Sequence, residues 1–498
     1  MIFQQIRQAF LHGAEKPAFR CAQGTISYEQ LGKATEAFRL QAQPLYGKGP
    51  IVIWGKKQCF FPAAILGCAF AGVCYLPVES STPLLRLQSL LSEAKPCAVW
   101  AFDFFPCAAP CPVLNAAEVQ AGNEFPPEVN FPGNSVLYQL YTSGSTGVPK
   151  GVAITRDNLN CFARWMQSWC KPTPTVIINQ ASFSFDLSVA DFYQAFSTGA
   201  CLVALESEVQ QNFLNLFSVL GQSGAQLMVC TPSFASMLLS DKSFERAWME
   251  ELSAIFFCGE TLHTETVRAL WKRFPGIRII NAYGPTECTV AVTAAEILPE
   301  HLEKDSLPVG TVRPGTSVLI CSQSSIGGHK KILPLPDGTE GEIVIQGEGV
   351  SPGYTNVKSA AFDVLDGAPA YFTGDRGFLK NNLLYFCGRA DRQVKLHGFR
   401  VELDDVEMNL LALPQIAQGA VVAEKDDYGA VKRLRAFAVL HPDADCSAAA
   451  VRKKLSERLA AYMVPVVMLI DKMPLNQNGK IDRDALLDIS RRGKEALR

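Results

Sequence analysis

Between Tyr141 and Val152 the chain reads Tyr-Thr-Ser-Gly-Ser-Thr-Gly-Val-Pro-Lys-Gly-Val. Hydroxyl residues (Ser143, Ser145, Thr146) alternate with glycines (Gly144, Gly147, Gly151), and Lys150 closes the run. Glycines let backbone N–H groups approach an anion, and hydroxyls add donors. The lysine supplies a compact charge. This is chemistry for gripping phosphate. It is not the P-loop spacing, which needs Gly directly before Lys, where Pro149 stands here. A flexible surface turn is the bland alternative. It fits less well, because apolar runs (Ser135-Val-Leu-Tyr-Gln-Leu-Tyr and Val152-Ala-Ile) flank the loop on both sides, as buried strands would.

Other residues could do chemistry. Asp186 stands between Phe185 and Leu187, where apolar neighbours predict burial. A buried carboxylate is costly unless a cation answers it, although Asp186 could equally cap a helix. Asn281-Ala-Tyr-Gly-Pro-Thr-Glu holds a Gly-Pro turn beside Glu287, and Tyr371-Phe-Thr-Gly-Asp-Arg-Gly places Asp375 in a turn. Cys258 ends a strand-like run (Ala254-Ile-Phe-Phe-Cys), two residues after Phe256 and so on the same face. Taken alone it reads as core. Lys480, in Gly-Lys-Ile-Asp, reads as a solvated loop lysine.

These residues need a scaffold. At 498 residues the chain is too long for one core, so two or more domains are expected. Apolar residues at 48% and charged residues at 19% suit a soluble globular enzyme. A net charge of −2 gives no electrostatic case for nucleic acid or an anionic membrane. The sixteen cysteines are scattered, and Cys107/Cys111 lack the second pair or histidines of a zinc site. Buried free thiols in a reducing cytoplasm are expected. The start, Met1-Ile-Phe-Gln-Gln-Ile-Arg, lacks the basic end and apolar core of a signal peptide. Cys59–Val78 carries no charge and is long enough to span a bilayer, but Pro62, Gly67, Gly72 and Pro77 interrupt it. A buried helix Pro62–Ala71, a turn at Gly72 and a strand Val73–Val78 are expected instead.

The surrounding elements read as α/β. Ser27 caps a helix that has Glu29 in its first turn, Pro50-Ile-Val-Ile-Trp is a buried strand, and Thr82-Pro83 opens a helix. Such alternation predicts largely parallel sheets. Residues 104–131 read as a connection, and Gln226–Phe234 as a strand ending in a loop. Gly341–Gly347 alternates as a half-buried strand does. Towards the end, helices at 404–412 and 447–460 enclose strands at 418–424 and 433–440.

Thr-Ser-Gly-Ser-Thr-Gly-x-Pro-Lys-Gly resembles the signature of the adenylate-forming superfamily, which includes acyl-CoA synthetases, luciferases and peptide-synthetase adenylation domains. The motifs around Asp186, Glu287, Gly353-Tyr354, Asp375, Asp391 and Lys480 follow in the family's order. The resemblance implies a large domain over 1–389, with parallel-rich sheets flanked by helices and a β-barrel-like subdomain. It also implies a small mobile α+β domain over 390–498, hinged near Asp391. It further implies that ATP is held by Thr142, Ser143, Asn281, Ala282, Gly284, Pro285, Phe386, Cys387 and Gly388, with Tyr283 on adenine and Thr286 at the α-phosphate. Asp375 takes both ribose hydroxyls, and Arg389 touches ribose or phosphate. Glu287 holds Mg²⁺, a hard cation suited to carboxylate and phosphate oxygens. Thr142, Lys150, Glu287 and Lys480 form the implied catalytic set. Lys150 steadies departing pyrophosphate, and Lys480 bridges the substrate carboxylate and α-phosphate as negative charge develops.

By the same resemblance Asp186 meets the α-ammonium of an amino acid. The mapped pocket adds Leu187, Ala190, Val229, Phe256, Cys258, Ala282, Val290 and Ala291, with Lys480 at the carboxylate. An apolar wall cannot satisfy a polar side chain, and Phe256 fills space, so a small apolar side chain is expected. Phe-Cys-Gly-Glu and Gly-Pro-Thr-Glu-x-Thr-Val-Ala-Val look like the branch that loads D-alanine onto a carrier protein for teichoic-acid D-alanylation. There the cysteine helps select the D-enantiomer. Ala190 and Ala282 depart from the bulkier Met and Thr of that branch and enlarge the pocket. A methylene's worth of room discriminates by only ~1–3 kcal/mol, so another small amino acid for a peptide-synthetase carrier is the competing expectation. A catalytically silent carrier-binding scaffold is a third, and intact Lys480, Asp375 and Glu287 argue against it. No carrier-like Gly-Gly-x-Ser segment follows Lys480, so the phosphopantetheinylated carrier is expected in trans to a monomeric enzyme.

Overall fold

The computed structural model describes residues 2–142, 149–303, 306–326, 329–426, 429–476 and 481–495. The uncharged run that could have crossed a bilayer is core. Phe61–Ala71 forms a helix of 11 residues, all buried, and among the described residues no helix is long and apolar enough to span a membrane. The helix stops where only glycine fits. Gly72 adopts φ 72°, and a Cβ there would lie 2.5 Å from the Phe131 ring. The next strand is Tyr75–Glu79, starting two residues later than expected. Ser27 caps Tyr28–Ala42 in a capping box, with Gln30 reciprocating. All sixteen cysteines are free thiols.

The chain divides into two compact units. The larger runs to Ser80 and continues through Ala94–Tyr141 and Gly151–Ala390. The smaller takes Ser81–Glu93, Thr142–Lys150 and the chain from Asp391 onward.

In the larger unit a nine-stranded sheet has a parallel centre: Arg278–Tyr283, Ala254–Phe257, Leu227–Cys230, Val176–Asn179, Cys201–Ala204 and Pro17–Cys21, side by side in that order. Antiparallel strands close both edges. A six-stranded sheet orders Val113–Asn115, Ala98–Ala101, Ile51–Gly55, Tyr75–Glu79, Val136–Thr142 and Lys150–Thr155. Its inner strands are continuous apolar runs buried on both faces, as parallel strands under helices must be. The expected barrel-like subdomain is a curled antiparallel sheet, built from Thr316–Ile326, Gly341–Gly347, Ala368–Lys380 and their neighbours.

Some local expectations fail for tertiary reasons. Gly341–Gly347 is not half-buried at its centre. Ile343, Val344 and Ile345 are all fully buried, because Val344 packs on Cys321 and Phe372 across the opposite face. The connection at 104–131 contains the edge strand Val113–Asn115. The strand Leu227–Cys230 leads into a helix, Pro232–Leu239, with Thr231 as its cap, rather than into a loop. Asp375 lies within the strand Ala368–Lys380 and not in a turn. Gly374 at φ 70° supplies the local bend that the Gly-Asp pair signals.

The smaller unit is α+β. A hairpin (Gln393–Leu396 with Phe399–Glu402) precedes the helix Leu403–Leu411. Antiparallel Ile416–Lys425 and Val431–Leu440 follow, with Val466–Leu469 parallel to the second. Helices Ala448–Ser456 and Arg483–Glu495 complete it.

Candidate active site

The larger unit gathers most of the sequence-derived candidates around the end of one strand. Arg278–Tyr283 carries Asn281, Ala282 and Tyr283, and Gly284-Pro285 then turns into the short 3₁₀ segment Thr286–Cys288. Gly284 is required there: a Cβ would sit 2.6 Å from the Ala291 Cα. Asn281 does not face outward. Its Nδ2 donates to the Pro308 carbonyl at 2.9 Å, a structural bond.

Thr286 and Asp186, a hundred residues apart, meet. The Thr286 hydroxyl donates to Asp186 Oδ2 at 2.6 Å. Asp186 is half-buried rather than buried, and it occupies the N-cap position of Leu187–Thr198 without its side chain capping that helix. Its carboxylate is therefore presented to the site instead of to its own helix. Glu287 is fully buried and accepts a hydrogen bond from the Tyr354 hydroxyl at 2.7 Å. One buried carboxylate with a hydroxyl partner suits Mg²⁺, which binds through one or two carboxylates plus substrate phosphates.

A second cluster adjoins the first through Tyr283. Its hydroxyl donates to Asp375 Oδ2 at 2.6 Å, and Arg389 Nη1 donates to Asp375 Oδ1 at 2.5 Å. Burial, then the Asp375 charge, pushes the Tyr283 phenol well above its usual range, so it stays a donor. The Tyr283 and Phe386 rings lie 5.7 Å apart, while Cys387 is exposed. A carboxylate has about four acceptor sites. Among the described residues two are taken, which leaves two for a vicinal diol. Asp375→Asn is expected to raise KM for ATP about 10-fold or more, because an amide loses both the charge and one acceptor. Saturation kinetics in ATP, with amino acid held saturating, reads this out.

Leu187, Ala190, Val229, Phe256, Cys258, Ala282, Val290 and Ala291 all belong to one buried cluster, while Ile255 and Phe257 face a different one. The Cys258 thiol points at the Val290 carbonyl, Sγ to O 3.8 Å.

Sequence reasoning missed Arg313. It is 1% exposed and donates to the carbonyls of Ala291 (2.9 Å), Cys288 (3.2 Å) and Thr289 (3.5 Å). It thereby grips a strained turn, with Thr289 at φ 63° and β-branched Val290 at φ 67°. Gly349 makes room for the guanidinium: a Cβ there would fall 1.2 Å from Nη2. The only sequence signal was a lone arginine between Val312 and Pro314.

Thr142 ends one strand and Lys150 begins the next. Both group with the smaller unit. Among the described residues the buried Thr142 hydroxyl has no hydrogen-bond partner, which suits a ligand-facing donor. Ser143 and Lys480 lie outside the described residues.

Residues 6–355 match the family model described as AMP-binding enzyme, and residues 405–480 match AMP-binding enzyme C-terminal domain. The chain is 36% identical over 511 residues to the D-alanine--D-alanyl carrier protein ligase of Bacillus anthracis, covering 98% of this chain and 99% of that protein. The protein of the same name from Bacillus cereus (strain AH820) is 36% identical over 519 residues, with the same coverage. Among solved structures, the Vibrio cholerae adenylation domain AlmE in complex with glycyl-adenosine-5'-phosphate superposes with a TM-score of 0.84 at 22% identity, over 98% of this chain and 97% of that one. Holo-PA1221, a protein containing adenylation and PCP domains, gives 0.80 at 24% identity, over 98% and 84%. At these identities the two structures establish the fold alone.

Proposed function

We propose, from the premise that this chain belongs to the AMP-binding enzyme family, that it activates D-alanine with ATP and passes it to the phosphopantetheine thiol of a carrier protein, for D-alanylation of teichoic acids. The observation that carries this reading is the Thr286–Asp186 hydrogen bond. In an aminoacyl adenylate the α-ammonium and the α-phosphate are only a few bonds apart. A carboxylate answering the first and a hydroxyl answering the second must therefore be neighbours, and these two are.

In the first half-reaction a carboxylate oxygen of D-alanine attacks the α-phosphorus, and the bond to pyrophosphate breaks. Asp186 holds the ammonium, and Thr286 turns its hydroxyl to an α-phosphate oxygen. Asp375 takes the ribose hydroxyls, beside Tyr283 at the adenine and Arg389. Asn281, Ala282, Gly284, Pro285, Phe386, Cys387 and Gly388 shape the nucleotide cleft, and Thr142 and Ser143 donate to phosphate. Lys150 steadies pyrophosphate, and Lys480 bridges carboxylate and phosphate where charge develops. Glu287 would hold Mg²⁺, which neutralises phosphate charge when bound. In the second half-reaction the carrier's thiol sulfur attacks the adenylate carbonyl and AMP leaves. Residues 1–389 bind ATP and amino acid, and 390–498 form a lid that pivots at Asp391. The division of the chain between Ala390 and Asp391 supports that pivot.

A second reading has its own observation. Ala190 and Ala282 line the same buried cluster as Cys258, and their short side chains favour a larger amino acid than D-alanine. Amino-acid-dependent ATP–pyrophosphate exchange decides between them, with D-alanine, L-alanine, glycine, D-serine and D-2-aminobutyrate as substrates. D-Alanine is expected to lead, and Cys258→Ala to reduce the D/L preference about 10-fold, within the range one pocket contact can supply. If D-2-aminobutyrate leads, the two alanines explain it and the D-alanine assignment fails.

A further inference from the structure

We propose that Lys57 is a positioning residue for amino-acid binding: it pins the start of the segment from Gln180 to Asp186, so that the Asp186 carboxylate stands ready for the substrate ammonium. This inference rests on the role given to Asp186 above.

Lys57 lies between the strand Ile51–Gly55 and the helix Phe61–Ala71, and it is 6% exposed. Its Nζ donates to three backbone carbonyls: Leu205 at 2.9 Å, Gln180 at 3.1 Å and Asn179 at 3.2 Å. These carbonyls stand at the ends of two parallel strands, Val176–Asn179 and Cys201–Ala204. The ammonium also lies 5.8 Å from the Phe183 ring centroid, a cation–π contact inside the same segment. Downstream, the Glu79 N–H donates to Ser184 Oγ at 3.0 Å, and the Phe185 N–H donates to the Ser182 carbonyl at 2.9 Å. The segment is thus braced at its start and middle, and it ends at Asp186 on Thr286.

The carbonyls do not need a lysine to be satisfied. Asn179 O also accepts from the Leu205 N–H at 2.9 Å. Gln180 O and Leu205 O also accept from Gln210 Nε2, at 3.0 and 2.9 Å. Burying an ammonium is costly, and here the cost is met where hydrogen bonding is already complete. What Lys57 adds is a charged tie across two strand ends and Phe183. The same redundancy means that Lys57→Met leaves each of these carbonyls a donor, and the fully buried Asp191, whose carboxyl burial already pushes well above its usual range, can hold a proton without the lysine, so the variant is expected to fold.

The test is calorimetric binding to the full chain. The probes are a non-hydrolysable D-alanyl-sulfamoyl adenosine and, separately, AMP. Lys57→Met is measured alone and in an Asp186→Asn background, with Lys57→Gln, which keeps N–H donors without charge, as the second variant. Lys57→Met is expected to weaken the analogue at least 10-fold when Asp186 is present and less than 2-fold when it is Asn, with AMP unchanged in both. Burial pulls the Lys57 ammonium down to about 8, against Asp191, Glu79 and Glu206, whose charges favour it. The wild-type advantage over Lys57→Met should therefore shrink between pH 7 and 9. Equal weakening in both backgrounds, or parallel loss of AMP, overturns the proposal and leaves Lys57 a structural residue. Exchange with the amino-acid panel runs alongside. If another amino acid leads, the D-alanine reading falls, and the coupling is measured with that amino acid's analogue.

Discussion

Asp186→Asn is expected to lower kcat/KM for D-alanine by ~10²–10³-fold while KM for ATP moves less than 3-fold. The amide has nearly the carboxylate's shape, and its oxygen can still accept the Thr286 hydroxyl, so the local structure should survive. What disappears is the negative charge facing an ammonium in a half-buried site. Removing one partner of a hydrogen-bonded charge pair costs about 2–5 kcal/mol, and each 1.4 kcal/mol is tenfold. The middle of that range gives the stated loss. ATP meets Asp375, Tyr283 and Glu287 in this reading, so its affinity is largely spared. Initial rates of pyrophosphate exchange, saturating each substrate in turn, separate the two. A loss shared equally by ATP and amino acid would show that Asp186 organises the site at large and does not read the ammonium.

Arg313→Met should destabilise the larger unit by about 3 kcal/mol or more. Three carbonyls, of Cys288, Thr289 and Ala291, lose a buried charged donor. The turn they belong to holds Val290 at φ 67°, a conformation that costs a β-branched residue about 1–3 kcal/mol and persists only when its surroundings enforce it. Released, Val290 should relax toward extended backbone and carry away the carbonyl that meets the Cys258 thiol. Two readouts are therefore tied together: a lower urea midpoint, and a fall in D/L preference among surviving molecules. Arg313→Lys keeps the charge but, without the planar fork, cannot reach all three carbonyls, so it should fall between the two. A wild-type midpoint for Arg313→Met would remove the claim that the guanidinium holds the strained turn.

Local rules read much of this molecule because they act over a few residues. The Ser27 capping box, the buried helix before Gly72 and the face shared by Phe256 and Cys258 depend on neighbours in the chain. The same rules misplace residues whose surroundings come from far away. Asp375 reads as a turn residue because Gly-Asp favours turns. It is strand because Gly341–Gly347 and Leu383–Arg389 pair with Ala368–Lys380 on either side, Asp375 itself lying opposite Arg389. Asp186 has apolar neighbours in sequence yet is half-buried, because its side chain turns to Thr286.

The sequence by itself determined the chemistry available: a glycine- and hydroxyl-rich loop closed by Lys150, carboxylates at 186, 287 and 375, and their order along the chain. Residue type and short spacing carry that information directly. Only the tertiary structure decided which of these groups meet. The parallel strands of the large sheet do not follow chain order, since Val176–Asn179 lies between Leu227–Cys230 and Cys201–Ala204. That crossover sets which strand ends converge. It places Lys57 under three carbonyls on two of them, while Thr286 and Tyr283, at the end of a further strand, reach Asp186 and Asp375. Arg313 is a function of the same long-range packing: nothing within a few residues of it marks the strained turn it holds, because that turn lies more than twenty residues earlier in the chain.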